Sequence, residues 1–389
     1  MESGLDVKNK KDLEIYIHIP FCLRKCLYCD FLSAPADKQT QEAYMEALMR
    51  EITGRAGDYG DYRVLSVFIG GGTPSVIEPE MIARVLACIR DSFSVAQDAE
   101  ITMEVNPGTV EEHRLQIYKE AGINRLSIGL QSADDEELQK LGRIHSWADF
   151  YETYMCARRV GFRNMNVDLM AALPGQTLET YRNTLKKVCS LDPAPEHVSA
   201  YSLIIEEGTP FAGMAEEGRL ALPDEDTDRR MYEETEKILT EYGYERYEIS
   251  NYAKEGYACR HNIGYWTGVS YLGFGIGAAS LIDEQRFRNG ESLNRYMENP
   301  LDCREDWELL TEREQMEEFC FLGLRMTKGI SYKDFYQKFQ VSLQEIYGEV
   351  IEKNVRDGLL AVWQGEKIAL TSKGLDLANY VMAQFLLED

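Results

Sequence analysis

The sequence is organised around residues 22 to 30, which read Cys-Leu-Arg-Lys-Cys-Leu-Tyr-Cys-Asp. Cys22, Cys26 and Cys29 form a C-x3-C-x2-C run directly after an alternating apolar segment. Thiolates are the soft, anionic ligands that iron–sulfur clusters and zinc prefer, so the run predicts a single metal centre. Three ligands leave a fourth position open for a small molecule, unless His18 completes a closed Cys3His zinc site.

The composition is typical of a globular intracellular protein. The 389 residues are 44% hydrophobic, which suffices for one large domain and a smaller one. No apolar run is long enough to span a bilayer, and the N-terminus lacks the sequence pattern of a signal peptide. We therefore expect a cytoplasmic protein whose nine cysteines stay reduced. The net charge of −24 repels phosphate backbones and argues against a nucleic-acid partner.

Alternating apolar and polar residues predict six strands, with helical segments between them. The strands are expected at residues 13–19, 64–69, 101–105, 125–131, 165–169 and 197–204. Such alternation indicates a parallel α/β sheet, either doubly wound or closed towards a barrel. Polar residues recur at the C-terminal ends of successive strands, as they do around a barrel mouth. We therefore predict a partial, TIM-like (β/α)6 barrel.

The second half of the chain predicts two further regions. A charged helix over residues 224–242 ends the barrel domain, which we place at residues 1–242. Residues 243–310 form a connecting region, whose Gly-, Tyr- and Asn-rich part up to Pro300 is expected to be irregular. Residues 311–389 predict helices and a hairpin near residues 359–370, a small winged-helix-like module. Its acidity argues against DNA binding.

The cysteine run resembles that of the radical S-adenosylmethionine (SAM) superfamily. In that family three cysteines hold three irons of a 4Fe–4S cluster, and the fourth iron takes the amino and carboxylate groups of SAM. An aromatic residue before the third cysteine, here Tyr28, belongs to the same pattern. The resemblance covers residues 13 to about 210 and, in the coproporphyrinogen-oxidase-like branch, the C-terminal module too. It implies a barrel of the radical SAM type and reductive cleavage of SAM to methionine and a 5′-deoxyadenosyl radical.

The resemblance implies that two groups of residues hold the methionine part of SAM. Gly71, Gly72 and Thr73 match the segment whose backbone meets the methionine ammonium, and Glu104 matches an acidic residue at the same end. Arg143 matches the residue that pairs with the SAM carboxylate, for which the guanidinium fork is well shaped.

The resemblance also implies which residues bind the ribose of SAM and which residue lies beside the cluster. Gln131 and Asp168 match residues that bond the ribose hydroxyls, and Tyr16 matches a tyrosine beside the cluster. The residues by themselves allow a second interpretation, in which an inward Glu104 or Asp168 pairs with Arg125 or Arg143 to hold the barrel together.

Two features distinguish branches within the superfamily. Oxygen-independent coproporphyrinogen III oxidases carry a fourth cysteine two residues after the third and a long N-terminal extension. Here the fourth position is Phe31, and about a dozen residues precede the first strand. The sequence His-Asn-Ile-Gly-Tyr-Trp at residues 261–266 gives an H-N-x-x-Y-W motif, which resembles the HemW group of haem chaperones.

The motif's chemistry suits a haem site. An imidazole such as that of His261 ligates haem iron, and the rings of Tyr265 and Trp266 can stack on the macrocycle. In the alternative interpretation His261 is a hydrogen-bonded loop histidine and the two aromatic residues anchor a core.

We therefore predict a HemW-like haem chaperone that binds a 4Fe–4S cluster, SAM and haem and delivers haem to acceptor proteins. The alternative from another class is an oxygen-independent coproporphyrinogen III oxidase, which oxidatively decarboxylates coproporphyrinogen III to protoporphyrinogen IX. A structural zinc protein is the third hypothesis. No residue is assigned a catalytic role, and peripheral membrane contact is left open.

Overall fold

Six parallel strands form the centre of the protein, whose computed structural model describes residues 10–387. They are β1 (Lys11–Ile19), β2 (Tyr62–Gly71), β3 (Ser94–Val105), β4 (Arg125–Gln131), β5 (Met165–Ala171) and β6 (His197–Ser202). Each strand pairs in parallel with the next along the chain. The six predicted strands are confirmed. The prediction about a signal peptide concerns residues 1–9, which lie outside the described range.

Helices connect these strands and cover the outside of the sheet. They are α1 (Lys38–Arg55), α2 (Pro79–Ser92), α3 (Glu112–Glu120), α4 (Asp135–Lys140), α5 (Trp147–Val160), α6 (Leu178–Cys189), α7 (Pro210–Glu216) and α8 (Glu225–Glu241). Local sequence sets several of their starts. Ser146 and Thr177, for example, each begin a helix with a capping box that satisfies exposed backbone N–H groups.

The apolar face of the strands forms the core between sheet and helices. Leu13, Ile15, Ile17 and Ile19 of β1 are all fully buried, in the same cluster as Leu48 of α1. Burying each such side chain contributes about 1.5–3 kcal/mol to folding. The opposite, polar face of the strands is thereby turned inward, where the candidate site lies.

The prediction that residues 243–300 are irregular is wrong. They contain β7 (Glu245–Arg246), β8 (Asn251–Ala253), α9 (Arg260–Thr267), β9 (Ser270–Phe274), β10 (Ala279–Ile282), β11 (Gln285–Asn289) and α10 (Leu293–Glu298), followed by β12 (Arg304–Leu309). These strands extend both edges of the central sheet: β9 pairs in parallel with β1, and β8 pairs antiparallel with β6. Strands of two to five residues are too short to show a clear alternation.

The sheet of the described residues is open, as expected of a partial barrel. Its twelve strands follow the order β12-β11-β10-β9-β1-β2-β3-β4-β5-β6-β8-β7. The (β/α)6 architecture is therefore confirmed, with additional strands at both edges. Within residues 10–387 no helix is both long and apolar enough to cross a bilayer.

The C-terminal module has its own core and a small antiparallel sheet. It comprises α11 (Glu312–Gly323), β13 (Ile330–Ser331), α12 (Tyr332–Phe339), α13 (Leu343–Arg356), β14 (Leu360–Trp363), β15 (Lys367–Leu370), α14 (Ser372–Asp376) and α15 (Ala378–Ala383). The predicted helices and hairpin are present, whereas β13 was not predicted. The domain boundaries at 242/243 and 310/311 stay a prediction; they fall between α8 and β7 and between β12 and α11.

Candidate functional site

The cysteine loop leaves the C-terminal end of β1 and is tied to its neighbours by backbone hydrogen bonds. Cys22 N donates to Ala34 O at 3.2 Å, and Leu27 N donates to Leu141 O at 3.0 Å. The three cysteines of the loop are partly exposed and unpaired. Burial raises the pKa of the Cys29 thiol. The loop thus presents three thiols beside the barrel mouth.

The glycine turn after β2 packs directly against this loop. Gly72 N donates to Ile19 O at 2.8 Å and Thr73 N donates to Phe21 O at 2.7 Å. A Cβ added to Gly72 would lie 2.6 Å from Phe21 O, so only glycine permits the approach. Gly71 has a φ of +110°, which also favours glycine. The turn and the cysteine loop therefore form one unit.

Two side chains donate hydrogen bonds to the cysteine sulfurs. Thr73 Oγ1 donates to Cys22 Sγ at 3.5 Å, and Arg143 Nη1 donates to Cys26 Sγ at 3.7 Å. Asn106 joins the two donors, because its Nδ2 donates to Thr73 Oγ1 at 2.7 Å and its Oδ1 accepts from Arg143 Nη2 at 2.9 Å. Donors aimed at sulfur are the surroundings that stabilise negative charge on a cluster ligand.

Glu104 lies next to the glycine turn. Its Oε2 accepts a hydrogen bond from Gly71 N at 3.1 Å. Burial, with the nearby charge of Asp168, raises the pKa of Glu104 to about 8. An ammonium group bound beside it would compensate that burial and favour the carboxylate, as the resemblance implies for SAM.

Asp168 is held on both carboxylate oxygens. Asn166 Nδ2 donates to its Oδ1 at 2.8 Å, and Ser127 Oγ donates to its Oδ2 at 3.1 Å. Burial raises the pKa of Asp168, while these hydrogen bonds and the charge of Arg125 act in the opposite direction. These contacts do not support the alternative of a direct pair between Asp168 and Arg125 or Arg143, because neutral donors orient the carboxylate.

Gln131 and Arg143 meet around Gly129 at the end of β4. A Cβ placed on Gly129 would lie 3.2 Å from Gln131 Nε2, 3.3 Å from Arg143 Nη2 and 3.1 Å from Asn106 Oδ1. Gln131 has a φ of 72°, an uncommon backbone conformation that turns the chain at the strand end. The structure therefore brings the two predicted residues together.

Tyr16 and His18 occupy the polar face of β1 below the cysteine loop. Tyr16 Oη lies 3.0 Å from His18 Nδ1, and His18 Nε2 lies 2.8 Å from Leu32 O, so both ring nitrogens are occupied. Across residues 10–387, no three His, Cys, Asp or Glu side chains converge on a site for one metal ion. The hydrogen bonds at both His18 ring nitrogens disfavour His18 as the fourth zinc ligand that the Cys3His hypothesis requires.

Tyr28 packs against α7, with its ring centroid 6.4 Å from that of Phe211. Phe211 N also donates to Leu27 O at 3.1 Å, which fixes the loop against α7. Burial raises the pKa of the Tyr28 hydroxyl.

His261 lies away from the cysteine loop. Its Nδ1 is 2.8 Å from Ser66 Oγ, its ring stacks on Phe68 at 5.1 Å, and its side chain is 2% exposed. Ser66 stands five residues before Gly71, which at about 3.3 Å per residue is roughly 16 Å from the top of β2. Burial lowers the pKa of His261 to about 3, so the ring is neutral. Its predicted bond to haem iron stays untested.

Tyr265 and Trp266 follow His261 on α9, and the Tyr265 ring meets the imidazole edge-on, with 4.9 Å between the ring centroids. Tyr265 and Trp266 both line a groove of about 950 Å³ between the edge of the large sheet and the C-terminal module, together with Phe319 and Met326. The guanidinium of Arg325 lies 4.3 Å above the Trp266 ring. The motif therefore divides into a buried histidine and two aromatic residues that border a groove.

Several polar residues of the site were not assigned a role from the sequence. Asn106 bridges Thr73 and Arg143, and Asn166 holds Asp168. Asn106 opens an Asn-Pro-Gly turn directly after β3, a position at the barrel mouth that the sequence offers as a signal. Asn166 lies two residues before Asp168 on the same face of β5, and its place in the sequence does not by itself predict a role in the site.

The side chains and the glycine turn of the site fit a 4Fe–4S cluster and SAM. Three unpaired thiols lie at one loop with donors to two of the sulfurs, and the glycine turn leaves no room for a side chain at Gly72. Within the described chain, the buried Nε of Arg143 has no hydrogen-bond partner and is available to an anionic group. Cys22, Cys26 and Cys29 would hold the cluster.

Comparisons with known proteins agree with this geometry. The profile of the radical SAM superfamily matches residues 16–188, and that of the HemN C-terminal domain matches residues 310–377. The structure reported as "Coproporphyrinogen III oxidase (HemN) from Escherichia coli is a Radical SAM enzyme" is similar, with a TM-score of 0.83 and 25% identity. The match covers 97% of this chain and 91% of that one.

Curated relatives extend the similarity over nearly the whole chain. The "Heme chaperone HemW" of Bacillus subtilis is 38% identical, over 95% of this chain and 98% of the relative. The protein of the same description from Lactococcus lactis is 35% identical, over 98% of this chain and 99% of the relative. The chain thus belongs to the HemW family of the radical SAM superfamily.

Proposed function

We propose that this protein is a haem chaperone that carries a 4Fe–4S cluster and SAM at the barrel mouth. It binds haem and delivers it to haem-requiring proteins. The observation that carries the proposal is the similarity, over 95% of the chain, to a relative described as a haem chaperone. Phe31, which is 60% exposed at the position of the oxidases' fourth cysteine, supports the same conclusion.

In this proposal the barrel mouth holds SAM by its two ends. Arg143 pairs with the methionine carboxylate, while Glu104 and the backbone of Gly71, Gly72 and Thr73 meet the ammonium. Both assignments rest on the hydrogen bonds that already join Glu104 to the glycine turn and Arg143 to Cys26. The bound cluster and SAM supply one-electron chemistry.

The remaining residues of the mouth hold the other parts of the two cofactors. Gln131 and Asp168 bond the ribose hydroxyls, for which Asp168 has its carboxylate held from below by Asn166 and Ser127. Tyr16 and Tyr28 border the cluster and limit the access of water to it.

Haem is proposed to bind the groove bordered by Tyr265 and Trp266. Its volume of about 950 Å³ lies at the upper end of the roughly 300–1,000 Å³ usual for ligand pockets. The apolar Phe319 and Met326 and the partly exposed rings of Tyr265 and Trp266 suit a flat macrocycle. The His261 side chain is buried, so a direct bond from it to haem iron requires α9 to move.

The second candidate is an oxygen-independent coproporphyrinogen III oxidase. The specific observation in its favour is the TM-score of 0.83 to the Escherichia coli oxidase, at 25% identity. Phe31 in place of a fourth cysteine is the observation against it.

One anaerobic experiment separates the two functions. Reconstituted protein is incubated with coproporphyrinogen III, SAM and dithionite, and the porphyrins are quantified; haem is titrated in parallel and offered to an apo-haemoprotein. The chaperone proposal expects haem binding, transfer of haem and no protoporphyrinogen IX. Product at catalytic turnover would assign the chain to the oxidase function.

Partners and location follow from the same proposal. Haem-accepting proteins are the expected partners, and the net charge of −24 disfavours nucleic acid. A cytoplasmic location, in which the nine cysteines stay reduced, is part of the proposal.

A further inference from the structure

A chain of buried hydrogen bonds leads from the start of α9 to Asp168. The backbone N–H of Cys259 donates to Tyr247 Oη at 3.3 Å. The Tyr247 hydroxyl lies 2.8 Å from His197 Nε2, and His197 Nδ1 lies 2.6 Å from Asn166 Oδ1. Asn166 Nδ2 then donates to Asp168 Oδ1 at 2.8 Å. The chain runs through the interior of the barrel.

The chemistry of the groups sets the direction of each proton. An amide N–H can only donate, so Tyr247 Oη accepts from Cys259 and its own proton remains free to be donated to His197 Nε2. Burial holds the pKa of His197 well below its ordinary value, helped by the charge of Arg125, so the ring carries one proton. Because the Asn166 Nδ2 donates to the Asp168 carboxylate, its Oδ1 faces His197, so the ring proton is on Nδ1 and is donated to Asn166 Oδ1.

The Asn166 amide points its oxygen to His197 and its nitrogen to Asp168. Its Oδ1 accepts from His197 and from Ser199 Oγ at 3.2 Å, and its Nδ2 donates to Ser127 Oγ at 2.7 Å and to Asp168. The reversed amide would place a carbonyl oxygen 2.8 Å from a carboxylate oxygen, which is repulsive. The carboxylate thus sets the orientation of the amide, and His197 holds the amide in it by donating to Oδ1.

We propose that His197 is a positioning residue for SAM, which acts through Asn166 on the Asp168 carboxylate. His197 is fully buried and Asn166 is 2% exposed, so neither reaches a ligand itself. With Asn166 and Ser127 on one side of the carboxylate, each oxygen keeps a lone pair for a ribose hydroxyl. The inference rests on the proposed SAM site.

The test measures the affinity for SAM by equilibrium dialysis of the full chain, reconstituted with iron and sulfide under argon. In His197→Ala the Asn166 amide loses its main donor, and we expect about tenfold weaker SAM binding. His197→Gln places an amide N–H and a carbonyl oxygen near the two ring nitrogens and is expected to recover most of the affinity. His113→Ala, at an exposed position on α3, is the matched control and should bind SAM as the unaltered protein does.

A double-mutant cycle distinguishes positioning from a general structural role. If His197 acts through Asp168, then His197→Ala has no further effect on SAM affinity once Asp168→Ala is present. Equal losses in both backgrounds would overturn the inference. If His197→Ala does not retain a cluster, Tyr247→Phe replaces it in the cycle, and an unchanged SAM affinity in that variant would overturn the inference as well.

The same data separate this inference from the proposed function. An unaltered protein that does not bind SAM, or an Asp168→Ala variant with full affinity, would remove the proposed SAM site. Weaker binding in Asp168→Ala together with full affinity in His197→Ala would leave the site in place and reject only the role of His197.

Discussion

Replacing Gly72 with alanine tests the contact between the glycine turn and the cysteine loop. The new Cβ would lie 2.6 Å from Phe21 O and 3.0 Å from Ile19 O, both backbone atoms that cannot rotate away. Two hydrogen bonds cross the same contact, from Gly72 N to Ile19 O at 2.8 Å and from Thr73 N to Phe21 O at 2.7 Å. The substitution must separate the two segments and weaken both bonds.

We expect Gly72→Ala to cause a moderate loss of folding stability and a larger loss of bound metal. Overpacking of a rigid site costs about 1–3 kcal/mol, and each of two weakened hydrogen bonds adds about 0.5–1.5 kcal/mol. We expect the free energy of unfolding of the Gly72→Ala variant to fall by about 2–6 kcal/mol. Iron content should fall too, because Thr73 moves away from Cys22.

The assay is urea unfolding of the metal-free protein, followed by iron and sulfide analysis after reconstitution. Gly57→Ala is the matched control, because a Cβ there meets nothing within 4 Å. Its free energy of unfolding should stay within about 0.5 kcal/mol of the unaltered value. A Gly72→Ala variant with unaltered unfolding midpoint and full iron content would refute the close contact.

Three further predictions address the cluster, the ammonium site and the groove. Cys26→Ser should abolish 4Fe–4S absorbance, while Cys88→Ser, outside the loop, should retain it. Burial raises the pKa of Glu104 from 4.5 to about 8, so the ligand-free protein should lose stability as the pH rises between these values, and Glu104→Gln should reduce that loss in urea titrations. Trp266→Ala should weaken haem binding about tenfold or more in absorbance titrations, whereas Trp363→Ala, 62% exposed on the C-terminal hairpin, should not.

Each of these has an outcome that contradicts it. Full cluster absorbance in Cys26→Ser would remove the loop from the metal site. Equal pH dependence in Glu104→Gln and the unaltered protein would mean that Glu104 is ionised in the fold. Equal haem affinity in the two tryptophan variants would place haem outside the groove.

The long regular elements were predictable from sequence because their periodicity is strong. β4 spans the predicted residues 125–131, and α8, predicted at 224–242, spans Glu225–Glu241. The edge strands β7 to β11 were not predictable from sequence, because strands of two to five residues show no clear period. Their pairing also depends on β1 and β6. Tertiary contacts decided these elements.

The candidate site was partly predictable for a similar reason. Parallel strands bring their C-terminal ends together, so Glu104, Gln131 and Asp168 could be expected at one mouth. The burial of His261 and the link from His197 to Asn166 could not be anticipated. They depend on side chains whose sequence separations, such as 31 residues for His197 and Asn166, carry no periodic signal.

The central claim is most directly tested by one anaerobic assay of the reconstituted protein with coproporphyrinogen III, SAM and dithionite, alongside a haem titration and transfer to an apo-haemoprotein. Our account predicts stoichiometric haem binding, haem transfer and no protoporphyrinogen IX. Protoporphyrinogen IX formed over many turnovers, with no haem bound, would contradict it.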